Sequence, residues 1–256
     1  MATLLLGDCL QHMASLKAGS VDCFICDLPY GITACEWDKR IDLAAFWTQV
    51  ERLASSPAAQ IIMFCNTKFG YELIASQPSW FRYDMVWDKG MGRGFLRSGK
   101  RPLCSHEMIY VFSKKAGFYR NVKVAGEPYR GIVHAATSEV YKLPAEREAG
   151  TMMRTDRCVK SIISVHTAPK RGGGLHPTEK PEELYRWLLE RYCPEGGCML
   201  DPTAGSFNSV ACAQAMGLKG IGIEADRAYF YKAVARFSKG IPLAVRERNT
   251  IEDGAE

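Results

Sequence analysis

Short apolar runs rich in β-branched residues recur along the chain, separated by stretches in which apolar positions return every three or four residues. Leu4 to Leu6, Val21 to Cys26, Gln60 to Cys65, Tyr83 to Trp87, Met108 to Phe112, Cys198 to Leu200 and Lys219 to Ile223 predict strands. Asp42 to Leu53, Phe69 to Ser76, Pro181 to Tyr192, Ser206 to Met216 and Ala225 to Phe237 predict helices. The clearest helix is Pro181 to Tyr192: Pro181 suits a first turn, Glu182 and Glu183 favour the positive N-terminal end, and Leu184, Trp187, Leu188 and Arg191 follow helical spacing. Strands alternating with helices imply an α/β architecture, an open and mostly parallel sheet covered on both faces.

The pattern thins between Lys114 and Gly174, where apolar residues are sparse and the stretch closes on the basic, glycine-rich Lys170 to Gly174. An insertion is expected over 114–174, dividing a catalytic half at 1–113 from a second half at 175–240. A polar, frayed tail is expected at 241–256.

Composition narrows the class. The 256 residues are 47% hydrophobic and 24% charged, which fits one large globular α/β domain and excludes disordered and collagen-like chains. The longest charge-free segment, Pro202 to Leu218, is broken by Gly205, Ser206, Asn208, Ser209 and Gln214, and no basic region precedes Asp8. No membrane association and a cytoplasmic location are therefore expected. The ten cysteines are scattered and read as reduced. Cys23 and Cys26 have a metal-pair spacing, but on a strand they face opposite sides and no second pair follows, so no metal site is expected.

The net charge of +5 decides little by itself. Its distribution says more: from Arg82 to Arg130 there are eleven basic residues against four acidic ones, so this window is more positive than the whole chain. A polyanionic partner fits, with Arg93, Arg97, Lys100 and Arg101 as phosphate contacts, although a solvated basic face has the same composition.

Three segments carry chemistry. The strand ending at Cys26 runs into Asp27-Leu28-Pro29-Tyr30, an acid, a rigid proline and an aromatic where open α/β sheets place ligands. Asp27 accepts hydrogen bonds and Tyr30 offers a stacking face, which suits a planar ring bearing an amine; an Asx turn with a packed tyrosine would look the same. The strand at Cys198 leads into Asp201-Pro202-Thr203-Ala204-Gly205-Ser206, then a helix, a strand and Glu224. That is a nucleotide-binding half, or equally a helix packed on a glycine, and without a full GxGxxG it favours a nucleoside lacking phosphates. Third, His176-Pro177-Thr178-Glu179-Lys180-Pro181 precedes the best helix, with Thr178 as a potential cap and Lys180 placed to attract a carboxylate.

In this order the three segments resemble the amino-methylating DNA methyltransferases that use S-adenosylmethionine, in the subgroup whose catalytic motif precedes the cofactor motif. Asp27-Leu28-Pro29-Tyr30 is similar to the family's Asp-Pro-Pro-Tyr motif, and Asp201 to Ser206 to its cofactor loop. Gly7-Asp8-Cys9-Leu10, Val86-Trp87-Asp88-Lys89 and His106-Glu107 add further matches. Leu28 departs from the first proline of the motif, and Phe207-Asn208 from the Gly-Thr that often follows Gly-Ser.

The resemblance implies a Rossmann-like, seven-stranded methyltransferase sheet entered at a permuted point, with 114–174 as the target-recognition region. It implies Asp27, Leu28, Pro29 and Tyr30 at the reacting amine, Glu224 on the cofactor ribose and Asp8 on its adenine. Lys180, Asp201, Pro202, Thr203 and the turn Ala204-Gly205-Ser206 would hold the methionine part. The implied partner is duplex DNA with a flipped base, and a homodimer stays open. An aspartate opening the motif points to adenine N6, with cytosine N4 and an RNA or protein amine as alternatives. A non-catalytic DNA-binding protein on a degenerate fold is the reading from another class. A nicotinamide oxidoreductase lacks its glycine loop.

Overall fold

The strands at the centre of the molecule are buried along their whole length, because helices cover both faces of a parallel sheet. A computed structural model describes residues 1–31, 40–133, 150–166, 179–237 and 243–247. They form two compact units, one made of 1–120 with 161–256 and the other of 121–160.

In the first unit, chain order runs β1 (Ala2–Leu6), α1 (Cys9–Ser15), β2 (Cys23–Cys26), α2 (Leu43–Leu53), β3 (Gln60–Cys65), α3 (Thr67–Ser76), β4 (Phe81–Arg93) and β5 (Cys104–Phe112). The second unit contributes β6 (Val124–Val133) and β7 (Gly150–Arg157). The first resumes with β8 (Ile162–Ser164), α4 (Glu182–Tyr192), β9 (Cys198–Asp201), α5 (Asn208–Ala215), β10 (Lys219–Glu224), α6 (Arg227–Phe237) and β11 (Leu243–Glu247).

The nine described strands of the first unit lie in the order β11-β1-β10-β9-β2-β3-β5-β4-β8. All neighbours are parallel except where β5 runs against β3 and β4. The seven strands expected from the sequence are the inner seven, and β8 and β11 add one at each edge. Alternation along β2 and β3 divides the core: Cys23, Ile25, Ile62 and Phe64 enter one layer, and Phe24, Cys26, Ile61, Met63 and Cys65 the other. Cys23 and Cys26 therefore face opposite sides, both buried.

From β9 the chain proceeds to β10 on one side, whereas from β2 it proceeds to β3 on the other. The boundary between β9 and β2 is thus the switch point of the sheet, where open α/β folds form their ligand crevice at the carboxyl ends. The two motifs end these two adjacent strands.

Helix starts follow local chemistry. The side chains of Asp8, Asn66 and Asp42 accept backbone N–H bonds at the N-termini of α1, α3 and α2. Pro181 is the residue before α4 rather than its first turn. His176, Pro177, Thr178 and the segment Lys170 to Gly174 lie outside the described residues. No described helix is long and apolar enough to cross a membrane.

Three expectations need correction. Leu243–Glu247 is no frayed tail: it pairs in parallel with β1 from Ala2↔Leu243 to Leu6↔Glu247, an edge ladder that polar residues tolerate. The separate unit is narrower than 114–174, since Ile162–Ser164 returns to the main sheet beside Val86–Asp88. The expected strand Tyr83 to Trp87 extends to Arg93, whose pairing with Cys104 carries a hairpin beyond the buried sheet. In the second unit β6 and β7 form an antiparallel ladder with Arg157 stacked 3.9 Å over the Tyr129 ring.

Phe207 shows how the cofactor-loop region is packed. It holds φ +58°, the left-handed backbone usual for glycine, and its side chain is fully buried against Phe230. Gly222 on β10 makes room, because a Cβ there would lie 2.6 Å from the Phe207 ring. Gly222→Ala is therefore expected to destabilise the fold by about 1–3 kcal/mol through overpacking, read as a lower urea midpoint with unchanged slope. An unshifted midpoint would refute this packing account.

Candidate active site

Asp27 follows the last residue of β2, and its backbone carbonyl accepts a hydrogen bond from Thr203 Oγ1 at 3.0 Å, which joins the two motif loops across the switch point. Its carboxylate is partly exposed and is held from two sides. Tyr30 Oη donates to Oδ1 at 3.0 Å, and the Lys180 ammonium pairs with Oδ2. Lys180 is only 4% exposed, yet it is charged, because Asp27 and Glu107 both face it.

Glu107, on β5, completes the cluster. It lies 3.1 Å from Tyr30 Oη, sharing that hydroxyl's one proton with Asp27, stands 3.4 Å from Lys180 and pairs with Lys89 of β4 at 2.7 Å. Burial raises the Glu107 carboxyl, but Lys180 and Lys89 outweigh it and hold its pKa below the ordinary value. For Lys180 burial lowers the pKa and the two carboxylates more than reverse that, so it is raised. Burial first, then the adjacent carboxylates, push the Tyr30 phenol far up, so it stays a neutral donor. The Lys180 ammonium also sits 4.3 Å from the centre of the Phe64 ring.

The motif's other members have distinct surroundings. Leu28 is 1% exposed within the core, so the residue that replaces the family's proline anchors the loop by burial. Tyr30 packs on Phe69 of α3, ring centres 5.0 Å apart and tilted 31°. The backbone of Lys180 is fixed by Asn208 Nδ2, which donates to its carbonyl at 3.0 Å and to Glu179 at 2.7 Å; Arg236 of α6 donates to Asn208 in turn.

Beside this cluster the β9–α5 turn is braced by two acids. Glu224, at the end of β10, accepts the Gly205 N–H at 2.8 Å and the Asp226 N–H at 2.7 Å. Burial raises its pKa, partly offset by those N–H groups. Asp201 is buried, accepts from Thr203 N at 3.1 Å and from Ser209 Oγ at 2.5 Å, and so shapes the turn from within. Gly205 has φ +52°, and Ala204 N donates to Ile223 O at 2.8 Å. Asp8 is exposed at the end of β1, and Gly7 N donates to Glu224 O at 2.9 Å, which brings the two acids' strands to one rim.

The sequence-expected residues Asp27, Lys180 and Thr203 are thus brought together, and Asp201, Gly205 and Glu224 form the adjoining turn. Glu107 and Lys89 were expected only as members of motif matches, His106-Glu107 and Val86-Trp87-Asp88-Lys89, and neither as a site residue. Arg93, Lys100 and Arg101 are exposed on the β4–β5 hairpin, where Arg97 also lies. Among the described residues no group of three His, Cys, Asp or Glu side chains could hold a metal.

An acid and an aromatic at the end of one central strand, beside an acidic, glycine-bearing turn at the end of its neighbour, place the chain in the class of Rossmann-like amino-methylating transferases. The family model for N6/N4 DNA methylases matches residues 21–235. The chain belongs to this DNA methylase family, and its enzymes methylate exocyclic amines of DNA bases. The type II methyltransferase M.HinfI of Haemophilus influenzae is 25% identical over 91% of this chain and 67% of its own length. Among solved structures, the cytosine-N4-specific PvuII DNA methyltransferase superposes with TM-score 0.67 at 12% identity, covering 92% of this chain and 86% of that one. The putative DNA modification methylase TTHA0409 of Thermus thermophilus, complexed with S-adenosyl-L-methionine, gives TM-score 0.61 at 19% identity, covering 96% and 100%.

Burial lifts the Asp201 carboxyl from its ordinary 3.8 to about 7. The folded state therefore holds a proton that the unfolded chain releases near 4, and stability falls as pH rises from about 4 to about 7. That rise in pKa corresponds to about 4 kcal/mol at full effect. Asp201→Asn, which does not titrate, is expected to gain stability over the wild type steadily across that window in urea unfolding. A difference independent of pH would refute the buried-carboxyl account.

Proposed function

We propose that this chain transfers the methyl group of S-adenosylmethionine to the N6 amine of adenine in duplex DNA. The observation that carries the reading is the Asp27 carboxylate, paired with Lys180 and oriented by Tyr30 at the carboxyl end of β2. An aspartate there supports adenine over cytosine, whereas the fold is shared with a cytosine-N4 enzyme.

The residues at the switch point fit the methyl donor. Glu224 is a carboxylate with each oxygen taking one N–H and retaining a second lone pair for ribose hydroxyls. The exposed Asp8 suits the adenine amine. The turn Pro202 to Ser206, shaped by Asp201, gives close backbone approach at Gly205 for the methionine part, with Lys180 at its margin. Bound there, S-adenosylmethionine supplies an electrophilic methyl group on a sulfonium.

The remaining chemistry belongs to the chain. An adenine amine is a poor nucleophile because its lone pair is delocalised into the ring. Asp27 accepts one of its N–H groups and the Leu28 carbonyl the other, which draws the nitrogen toward tetrahedral geometry and frees the lone pair. As the N–C bond forms the S–C bond breaks, the donor leaves as a neutral thioether, and the proton lost from the amine passes by way of Asp27 to solvent. Pro29 keeps that turn rigid, and Tyr30 stacks on the base while its hydroxyl holds Asp27. Acceleration comes from positioning and fixed charges already in place before the base arrives. The base reaches this crevice only when swung out of the duplex. Arg93, Arg97, Lys100 and Arg101 contact phosphates, and the unit 121–160 selects the site.

Duplex DNA incubated with methyl-labelled S-adenosylmethionine and digested to nucleosides is expected to yield N6-methyladenine by mass spectrometry. N4-methylcytosine would overturn the base assignment, label confined to RNA or protein the substrate class, and DNA binding without any product the enzymatic reading. Asp27→Ala is expected to retain donor binding in calorimetry and lose about 10²–10³-fold or more in transfer. Wild-type turnover in that variant would remove Asp27 from the mechanism.

A further inference from the structure

Beyond its pairing at Arg93↔Cys104, the β4–β5 hairpin ends in a tight 3-10 turn, Phe95–Arg97. Gly94 enters that turn at φ +87°, and Ser98 N closes it on Phe95 O at 3.0 Å. The turn lifts two large apolar side chains into solvent: Phe95 is 74% exposed and Leu96 86%. Leu103, itself 46% exposed, lies over Gly92, where a Cβ would meet it at 2.7 Å, so the two strands of the hairpin touch just below the tip.

Its setting selects the partner. From Lys89 to Leu103 there are five basic residues, Lys89, Arg93, Arg97, Lys100 and Arg101, and no acidic one. In sequence Phe95 and Leu96 stand between Arg93 and Arg97, so the apolar tip lies within a wholly basic stretch of chain. The root of the hairpin is the active site itself, through the Lys89–Glu107 pair. Six residues of strand separate Lys89 from Phe95, at most about 20 Å, so a duplex gripped by the flanks lies within reach of both tip and crevice.

We propose that Phe95 and Leu96 form a wedge that enters the base stack of duplex DNA and fills the place of the base swung into the Asp27 crevice. The proposal rests on the DNA-methylating reading above. Phosphate contacts alone need no exposed phenylalanine, whereas apolar side chains between cationic flanks match the recurrent device for prying base steps apart. The wedge makes Phe95 and Leu96 positioning residues: they touch neither donor nor amine, and act by stabilising the flipped state.

The test uses the full chain and the Phe95→Ser/Leu96→Ser double variant, both positions being exposed and neutral to the core. Two oligonucleotide duplexes carry a site shown to be methylated by the wild type. In one the target base is normally paired; in the other it faces an abasic position, which lowers the cost of extrusion. The expected result is a fall of roughly tenfold or more in kcat/KM on the paired duplex, with a change under about threefold on the abasic one. Equal losses on both probes would overturn the wedge in favour of simple binding, and no loss on either would remove any role for the tip. A change of oligomeric state in sedimentation, with methylation intact, would instead make the tip a contact between copies and overturn the proposal. Wild-type protein that labels no DNA would defeat the underlying methyltransferase reading, an outcome separate from an indifferent double variant.

Discussion

An ammonium group buried between two carboxylates organises this molecule. Lys180 is almost wholly removed from water, and that position is tolerable only because Asp27 and Glu107 face it together. Each partner comes from a different part of the chain: the loop after β2, the middle of β5 and the approach to α4. Without the cation two carboxylates would share a poorly solvated corner, and Tyr30 would lose the fixed geometry of both its acceptors. The cluster therefore ties together the loop after β2, the middle of β5 and the approach to α4.

That cross-link explains why the inverted order of motifs along the chain is harmless. The loop Asp27 to Tyr30 follows β2 and the turn Pro202 to Ser206 follows β9, and the sheet sets these strands side by side. The Thr203 hydroxyl reaching the Asp27 carbonyl converts that adjacency into one crevice. Where local sequence departs from the family's habit, the surrounding structure compensates. Leu28 replaces a proline and is clamped by the core. Phe207 occupies a glycine-type backbone, and the absent side chain at Gly222 leaves space for its ring.

Much of the fold was legible because its causes are local. A strand covered on both faces is apolar nearly throughout, as at Ile61–Cys65 and Cys198–Leu200, and the helical pattern of α2 starts at Asp42, the acid that caps it. The parts that were not legible have their causes elsewhere. Helix α1 spans only seven residues, too short for a periodic signal, although Asp8 caps it. Strands β8 and β11 are edge segments whose conformation is imposed by the ladders of β4 and β1. The hairpin extension of β4 passes through Gly90, Gly92 and Gly94, which read as a loop, and exists because Arg93 finds Cys104.

By itself the sequence determined the α/β class, the seven inner strands and the two motif loops that end β2 and β9, since burial, capping and turn residues act over a few positions. It also located the excess positive charge between the two halves. Only the tertiary structure decided what those loops do to one another. Asp27 and Lys180 stand 153 residues apart, and their pairing, like the recruitment of Glu107 and Lys89, has no local pattern to betray it. Periodicity reports which face of an element meets the core; it is silent about which charge from a distant element will meet it there. In this protein the surroundings of the Asp27 carboxylate are set by those distant charges.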